Sequence, residues 1–336
     1  MSPQAPVHPA THRVAMQAIL LIIVPVFVLI GLGYATARSR YLSEQAGDGL
    51  ADYVFKIAVP LLLFLSLAAP RAEGVTGIGD TLSFLLVYFS GVFVAWILAM
   101  VIIAKGFGRG LRASVISGVA ASFSNLVLLG IPLITLAFGA AGLQVLLALV
   151  AVHLIIMMSV STLLMEYAAR VDGVMGGAFA PLAILRRVLV NLSINPIIIG
   201  IVSGLLFRLI GFELPPIIKG ILDPIAQTTG PLALFALGMG LIKYGIKGNV
   251  LPAGLLTGLS LIVQPLVVFL LGAFVFDLPD LKLQVAVIAA ACPTGVNAFL
   301  FASYFGTAQG LATNTIVLAL LASVVTLPAW LALLGV

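Results

Sequence analysis

Two asparagines sit where hydrocarbon should exclude them. In "SFSNLVLLGIPLITLAFG", Ser122 to Gly139, Asn125 is followed by Gly130 and Pro132 inside an otherwise apolar run. In "AACPTGVNAFLFASYFG", Ala290 to Gly306, the residues Pro293, Thr294, Gly295 and Asn297 repeat the combination. Proline removes a backbone donor and clashes with the preceding turn. The freed N–H and C=O groups cost several kcal/mol each in lipid, so a break at that depth survives only against protein or a wet cavity. A half-helix that restarts there presents unpaired N–H groups and the positive end of its dipole. With an amide beside each break, the chemistry on offer is recognition of a small polar or anionic molecule. Pro132 suits the first turn of a new half-helix; Thr294 and Gly295 suit a loop leading into another.

Two titratable groups extend the set. Lys56 lies four residues after Asp52 and four before Pro60, a spacing that lets it pair with Asp52 on one helix face. It reads either as a fixed cation for an anionic ligand or as a lysine snorkelling to the membrane surface. His153 lies mid-way along an apolar run and reads either as a ligand or proton carrier or as a histidine hydrogen-bonded between helices. Glu166 and Arg208 fall near span ends and take no special role, Cys292 packs as a small residue, and Gln264–Pro265 marks a kink. A single cysteine excludes an internal disulfide and a cysteine-based zinc site. No other metal or cofactor motif stands out.

These residues must be held by membrane helices. Of the 336 residues, 62% are hydrophobic and 8% charged, so no soluble domain could hide the apolar surface. Ten apolar spans are expected, at about 15–36, 49–69, 81–104, 113–138, 143–166, 188–209, 221–242, 250–275, 283–305 and 311–334. The first is read as a membrane helix rather than a cleaved leader, since it is long and little positive charge precedes it. With the N-terminus outside, the inner loops hold Arg38, Arg40, Lys105, Arg109, Arg112, Arg170, Arg186, Arg187, Lys243 and Lys247, against Arg13, Arg71, Arg208, Lys219 and Lys282 outside. That bias puts both termini on the outer side of the inner (plasma) membrane. The net charge of +5 is spread over short loops, which encodes topology and does not indicate nucleic acid.

The two halves of the chain are alike. Pro25 is followed eight residues on by Gly33, and Pro196 by Gly204. "PLLLF" starts 35 residues after Pro25, and "PLALF" starts 35 after Pro196. "FGAAGL" from Phe138 and "FGTAQGL" from Phe305 open spans 5 and 10. Five spans is an odd number, so the second unit enters the membrane from the opposite side. The expected organisation is an all-α polytopic membrane protein with a 5+5 inverted repeat: residues 1–170, a cytoplasmic linker 171–187, and residues 188–336. Broken spans 4 and 9 are repeat partners and should cross near the bilayer midplane, where secondary transporters bind substrate.

"SNLVLLGIPLITLAFG" and "ACPTGVNAFLFASYFG" resemble the crossing segments of the auxin efflux carrier family, which includes plant PIN-type carriers and bacterial permeases for malate, malonate and related acids. "FKIAVPLLLF" from Phe55, "GPLALFALGMGL" from Gly230 and "LLMEYAAR" from Leu163 resemble its spans 2, 7 and 5. The resemblance implies a scaffold around spans 1, 2, 6 and 7, elevator-type movement of the rest, and a homodimer. About twenty residues join spans 5 and 6 here, in place of the long central loop of many plant members, which favours a bacterial-type permease. The expected function is a secondary transporter of small organic anions, mono- or dicarboxylates. The expected binding set is Asn125, Gly130, Pro132, Pro293, Thr294, Gly295, Asn297, Lys56 and His153. No carboxylate lies in either crossing segment, so sodium coupling is not indicated by one; carbonyls and hydroxyls could still hold sodium, and proton coupling is equally open. Two other classes compete: a membrane-embedded enzyme using His153 as base, and an anion channel. No HExxH, GxSG or aspartate pair supports the first, and no charge ring or carbonyl filter supports the second.

Overall fold

The computed structural model describes residues 9–69, 78–174, 176, 180–243 and 248–336. Arg71 and Lys247, used above for orientation, lie outside them, as does the side chain of Arg13. The elements are helical throughout: α1 (Pro9–Arg38), α2 (Glu44–Ala68), α3 (Thr81–Gly106), α4 (Leu111–Ser122), α5 (Leu126–Val171), α6 (Pro181–Ser193), α7 (Pro196–Ile210), α8 (Pro216–Lys243), α9 (Val250–Phe274), α10 (Asp280–Ala291), α11 (Asn297–Tyr304) and α12 (Gln309–Leu333). Large apolar side chains stand exposed on the outside, among them Leu21, Leu209 and Val325. The chain is a multi-pass membrane protein.

Among the described residues, seven helices are long and apolar enough to cross a bilayer, or eight if α6 and α7, bent by 69°, form one span. The difference from ten spans has a physical origin at each break. α5 has 46 residues, about 69 Å if it were straight, more than twice a bilayer core. It turns at Gly139, whose φ of 62° and ψ of −154° no helix accommodates. α4, α10 and α11 are each too short to cross alone. Residues 181–187, expected in the connecting segment, are helical: α6 buries Ile184, Val188 and Leu192 at a spacing of four.

Three prolines inside the spans are absorbed in a common way. Pro60, Pro132 and Pro265 each follow a wide turn in which an N–H bonds five residues back: Val59 to Val54, Ile131 to Leu126, and Gln264 to Leu259. The wider turn removes the clash that a proline ring makes in a tight helix. The interruption expected at Gln264–Pro265 is one of these.

Close helix pairs are made by glycines. A β-carbon at Gly33 of α1 would collide with the Phe235 carbonyl of α8, and one at Gly238 of α8 with the Ile30 carbonyl of α1. α2 and α7 meet in the same manner: a β-carbon at Gly204 would lie 2.7 Å from the Phe64 carbonyl oxygen, and one at Gly200 would lie 2.5 Å from that of Pro60. Small residues let backbones approach where no hydrophobic effect operates between helices in lipid.

Candidate functional site

The first break spans Phe123 and Ser124. α4 ends at Ser122, and the chain restarts as α5 with Asn125 as its cap, whose Oδ1 accepts the Leu128 N–H at 3.2 Å. The restart therefore comes at Leu126, well before Pro132, because the wide turn closed by Gly130 N–H to the Asn125 carbonyl (3.0 Å) lets the proline sit inside the new helix. The second break runs from Cys292 to Val296, between α10 and α11.

The two breaks pair with each other. The Asn125 N–H donates to the Pro293 carbonyl at 2.8 Å, and the Gly295 N–H donates to the Phe123 carbonyl at 2.7 Å. Ser124 and Thr294 thus face each other in a one-residue antiparallel bridge. The Thr294 hydroxyl donates to the Ala120 carbonyl at 2.7 Å, which satisfies a carbonyl at the end of α4. A β-carbon at Gly295 would come within 3.2 Å of the Phe123 carbonyl oxygen, so glycine permits this approach. Backbone groups freed by breaking two helices are satisfied by crossing them.

Beside the crossing lies a cavity of about 300 Å³. Of the expected binding residues, Asn125, Gly295, Asn297, His153 and Lys56 line it. Gly130, Pro132, Pro293 and Thr294 do not: Pro293 and Thr294 hold the two breaks together, Gly130 closes the turn of α5, and Pro132 lies buried within that helix. Asn195 also lines the cavity and was missed. Its Oδ1 caps α7 by accepting the Ile197 N–H at 2.9 Å. Asparagine before a proline at the first helical position is a recognised helix start, so the signal was present in "NP".

Three helix N-termini therefore open on one cavity, those of α5, α7 and α11, each marked by an asparagine. Two of these asparagines have their oxygen committed to a cap, which leaves their NH₂ groups as donors. The Asn297 amide has no protein hydrogen bond among the described residues. His153, 1% exposed, meets the Tyr88 hydroxyl through Nδ1 at 3.3 Å and stands edge-on to Phe123, while its Nε2 has no partner. Lys56 forms an ion pair with Asp52 at 2.6 Å on the rim, with both side chains largely exposed. Among the described residues, no aspartate or glutamate lines this cavity. The set is rich in donors and in positive dipole ends, and such a set suits a ligand made of acceptors.

Interrupted membrane helices that cross backbone to backbone beside a small cavity are where membrane transporters bind substrate. The chain belongs to the membrane transport protein family, that of the auxin efflux carriers, whose profile matches residues 18–331. It is 26% identical over 316 residues to the "Putative malonate transporter" of Rhizobium meliloti, covering 93% of this chain and 94% of that protein. It is 24% identical over 313 residues to the "Uncharacterized transporter YfdV" of Escherichia coli K12, covering 92% and 95%. An "Uncharacterized transporter" of Methanothermobacter thermautotrophicus is 26% identical over 311 residues, covering 92% and 96%.

Proposed function

We propose that the protein is a secondary transporter of small organic anions, mono- or dicarboxylates, which binds its substrate in the cavity at the crossing. The observation that carries this reading is the convergence of three asparagine-marked helix N-termini on a cavity without carboxylates. Helix N-termini favour negative charge, and a carboxylate accepts hydrogen bonds without donating any. A cavity of about 300 Å³ is at the small end of ligand sites. The malonate named for the Rhizobium relative is a dianion small enough to enter such a cavity.

The fold we propose behind this activity is ten spans in a 5+5 inverted repeat, residues 1–170 and 188–336, joined by 171–187. Repeat-matched contacts support it. Gly33 and Gly204 occupy matching positions, as do Phe235 and Phe64, and the first glycine meets the first carbonyl as the second meets the second. Gly139 and Gly306, in the matched "FG" motifs, both have φ near +60°, at 62° and 61°. The tight pairs α1–α8 and α2–α7 would form a fixed scaffold, and the crossing helices would travel past it in elevator fashion. Both termini would lie outside the inner membrane, and the protein would act as a homodimer. Proton or sodium coupling would supply the driving force, and His153 and Lys56 are titratable groups in the cavity lining.

The test is uptake of radiolabelled malonate and related acids into proteoliposomes. The reading predicts saturable uptake and counterflow of unmodified compound. A channel gives no counterflow, and an enzyme using His153 returns a changed compound; either result would replace this reading.

A further inference from the structure

The cavity at the crossing adjoins another. A second cavity of about 300 Å³ shares Met158, Asn297 and Leu300 with the first and reaches Thr162, Asn191, Glu166 and Arg187. At its far end the Arg187 guanidinium of α6 donates to Glu166 Oε1 of α5. Glu166 has a second cation on its own helix, for Arg170 Nη1 stands 3.5 Å from Oε2. The two arginines differ in freedom. The Arg170 side chain is 18% exposed and also donates to the Glu166 carbonyl at 2.8 Å, whereas that of Arg187 is 60% exposed.

We propose that Arg187 is an access subsite that captures the substrate carboxylate and passes it to Asn297. The proposal rests on the carboxylate reading above. One carboxylate facing two guanidiniums leaves a net positive charge at the cavity's outer end. A buried carboxylate that lost its sole partner would be costly, but Glu166 keeps Arg170 when Arg187 turns away. Arg187 is thereby free to engage an incoming carboxylate through its planar fork. α6 buries the stripe Ile184, Val188 and Leu192, which sets Arg187 and Asn191, one turn apart, along the cavity's edge. Asn297 belongs to both cavities, so it is the natural recipient. Thr162 and Asn191 line the same second cavity and supply further hydrogen-bonding groups there.

A capture site speeds arrival without changing the final bound state. Arg187→Gln should lower kcat/KM for malonate uptake about tenfold at low salt, with kcat little changed, and the deficit should shrink as salt rises. Arg187→Lys should recover most of the loss. The double variant Arg187→Gln with Glu166→Gln separates capture from a structural tie between α5 and α6. If Arg187 captures substrate, the double variant stays as slow as Arg187→Gln even though Arg170 restores the net charge, because Arg170 lines neither cavity. If the pair merely joins two helices, removing both charges returns wild-type kinetics, and the proposal falls. It falls too if Arg187→Gln leaves kcat/KM unchanged while wild-type protein transports malonate. Failure of wild-type protein to transport any carboxylate would bring down the underlying functional reading together with it.

Discussion

At Asn125 a single side chain has two tasks that substitution can separate. Its oxygen caps α5, and its NH₂ group is left for a ligand. Asn125→Asp keeps the cap, because aspartate and asparagine cap equally well, but it replaces donors with a negative charge. Carboxylate uptake should then disappear, while the melting temperature stays within a few degrees of wild type. Normal uptake in this variant would show that the amide does not face substrate. Asn297→Ala removes a donor without touching a cap and should weaken carboxylate binding by about 1.5–3 kcal/mol, roughly ten- to a hundredfold. Lys56 poses a different question, since its ion pair with Asp52 is exposed and such pairs contribute little. On the carboxylate reading its part is the charge it places at the rim of the cavity. Lys56→Gln should raise the KM for a carboxylate far more than Lys56→Arg does; equal KM values would mean that the lysine only snorkels.

Elements hold these residues through backbone contacts more than through side chains. Thr294→Val is nearly isosteric, yet it leaves the buried Ala120 carbonyl without its hydroxyl partner. A loss of about 1–3 kcal/mol is expected, seen as a lower melting temperature, and an unchanged one would mean that the crossing tolerates an open α4 terminus. Gly204→Val should do more damage, since even one β-carbon there would lie 2.7 Å from the Phe64 carbonyl oxygen. Detergent-solubilised yield and melting temperature would report separation of α2 from α7. The crossing was legible in the sequence because lipid tolerates an amide, a glycine and a proline together in an apolar run only where a helix breaks against protein or water. The restart at Leu126 was not, because the wide turn that absorbs Pro132 depends on backbone geometry rather than residue type. Asn195 escaped notice because it sits at a span boundary, where asparagines are ordinary. Glu166 did so for the same reason: only packing shows that a glutamate near a helix end is buried beside Arg170 and Arg187.

For the whole molecule, the proposed ten crossings require both termini on one side of the membrane. Single cysteines placed near each end, in a background lacking Cys292, should both react with an impermeant thiol reagent from outside intact cells; labelling of only one end would refute an even number of crossings. The central claim is narrower than topology: the cavity at the crossing binds a small carboxylate through donors and helix N-termini. Equilibrium binding tests it most directly, by thermal stabilisation of purified protein across a series of malonate concentrations. A ligand that binds only the folded state at a hundred times its Kd adds about 2.7 kcal/mol. The account predicts saturable stabilisation of wild-type protein by malonate, none by its neutral diamide, and none by malonate in Asn125→Asp. Equal stabilisation of wild type and Asn125→Asp by malonate would contradict it.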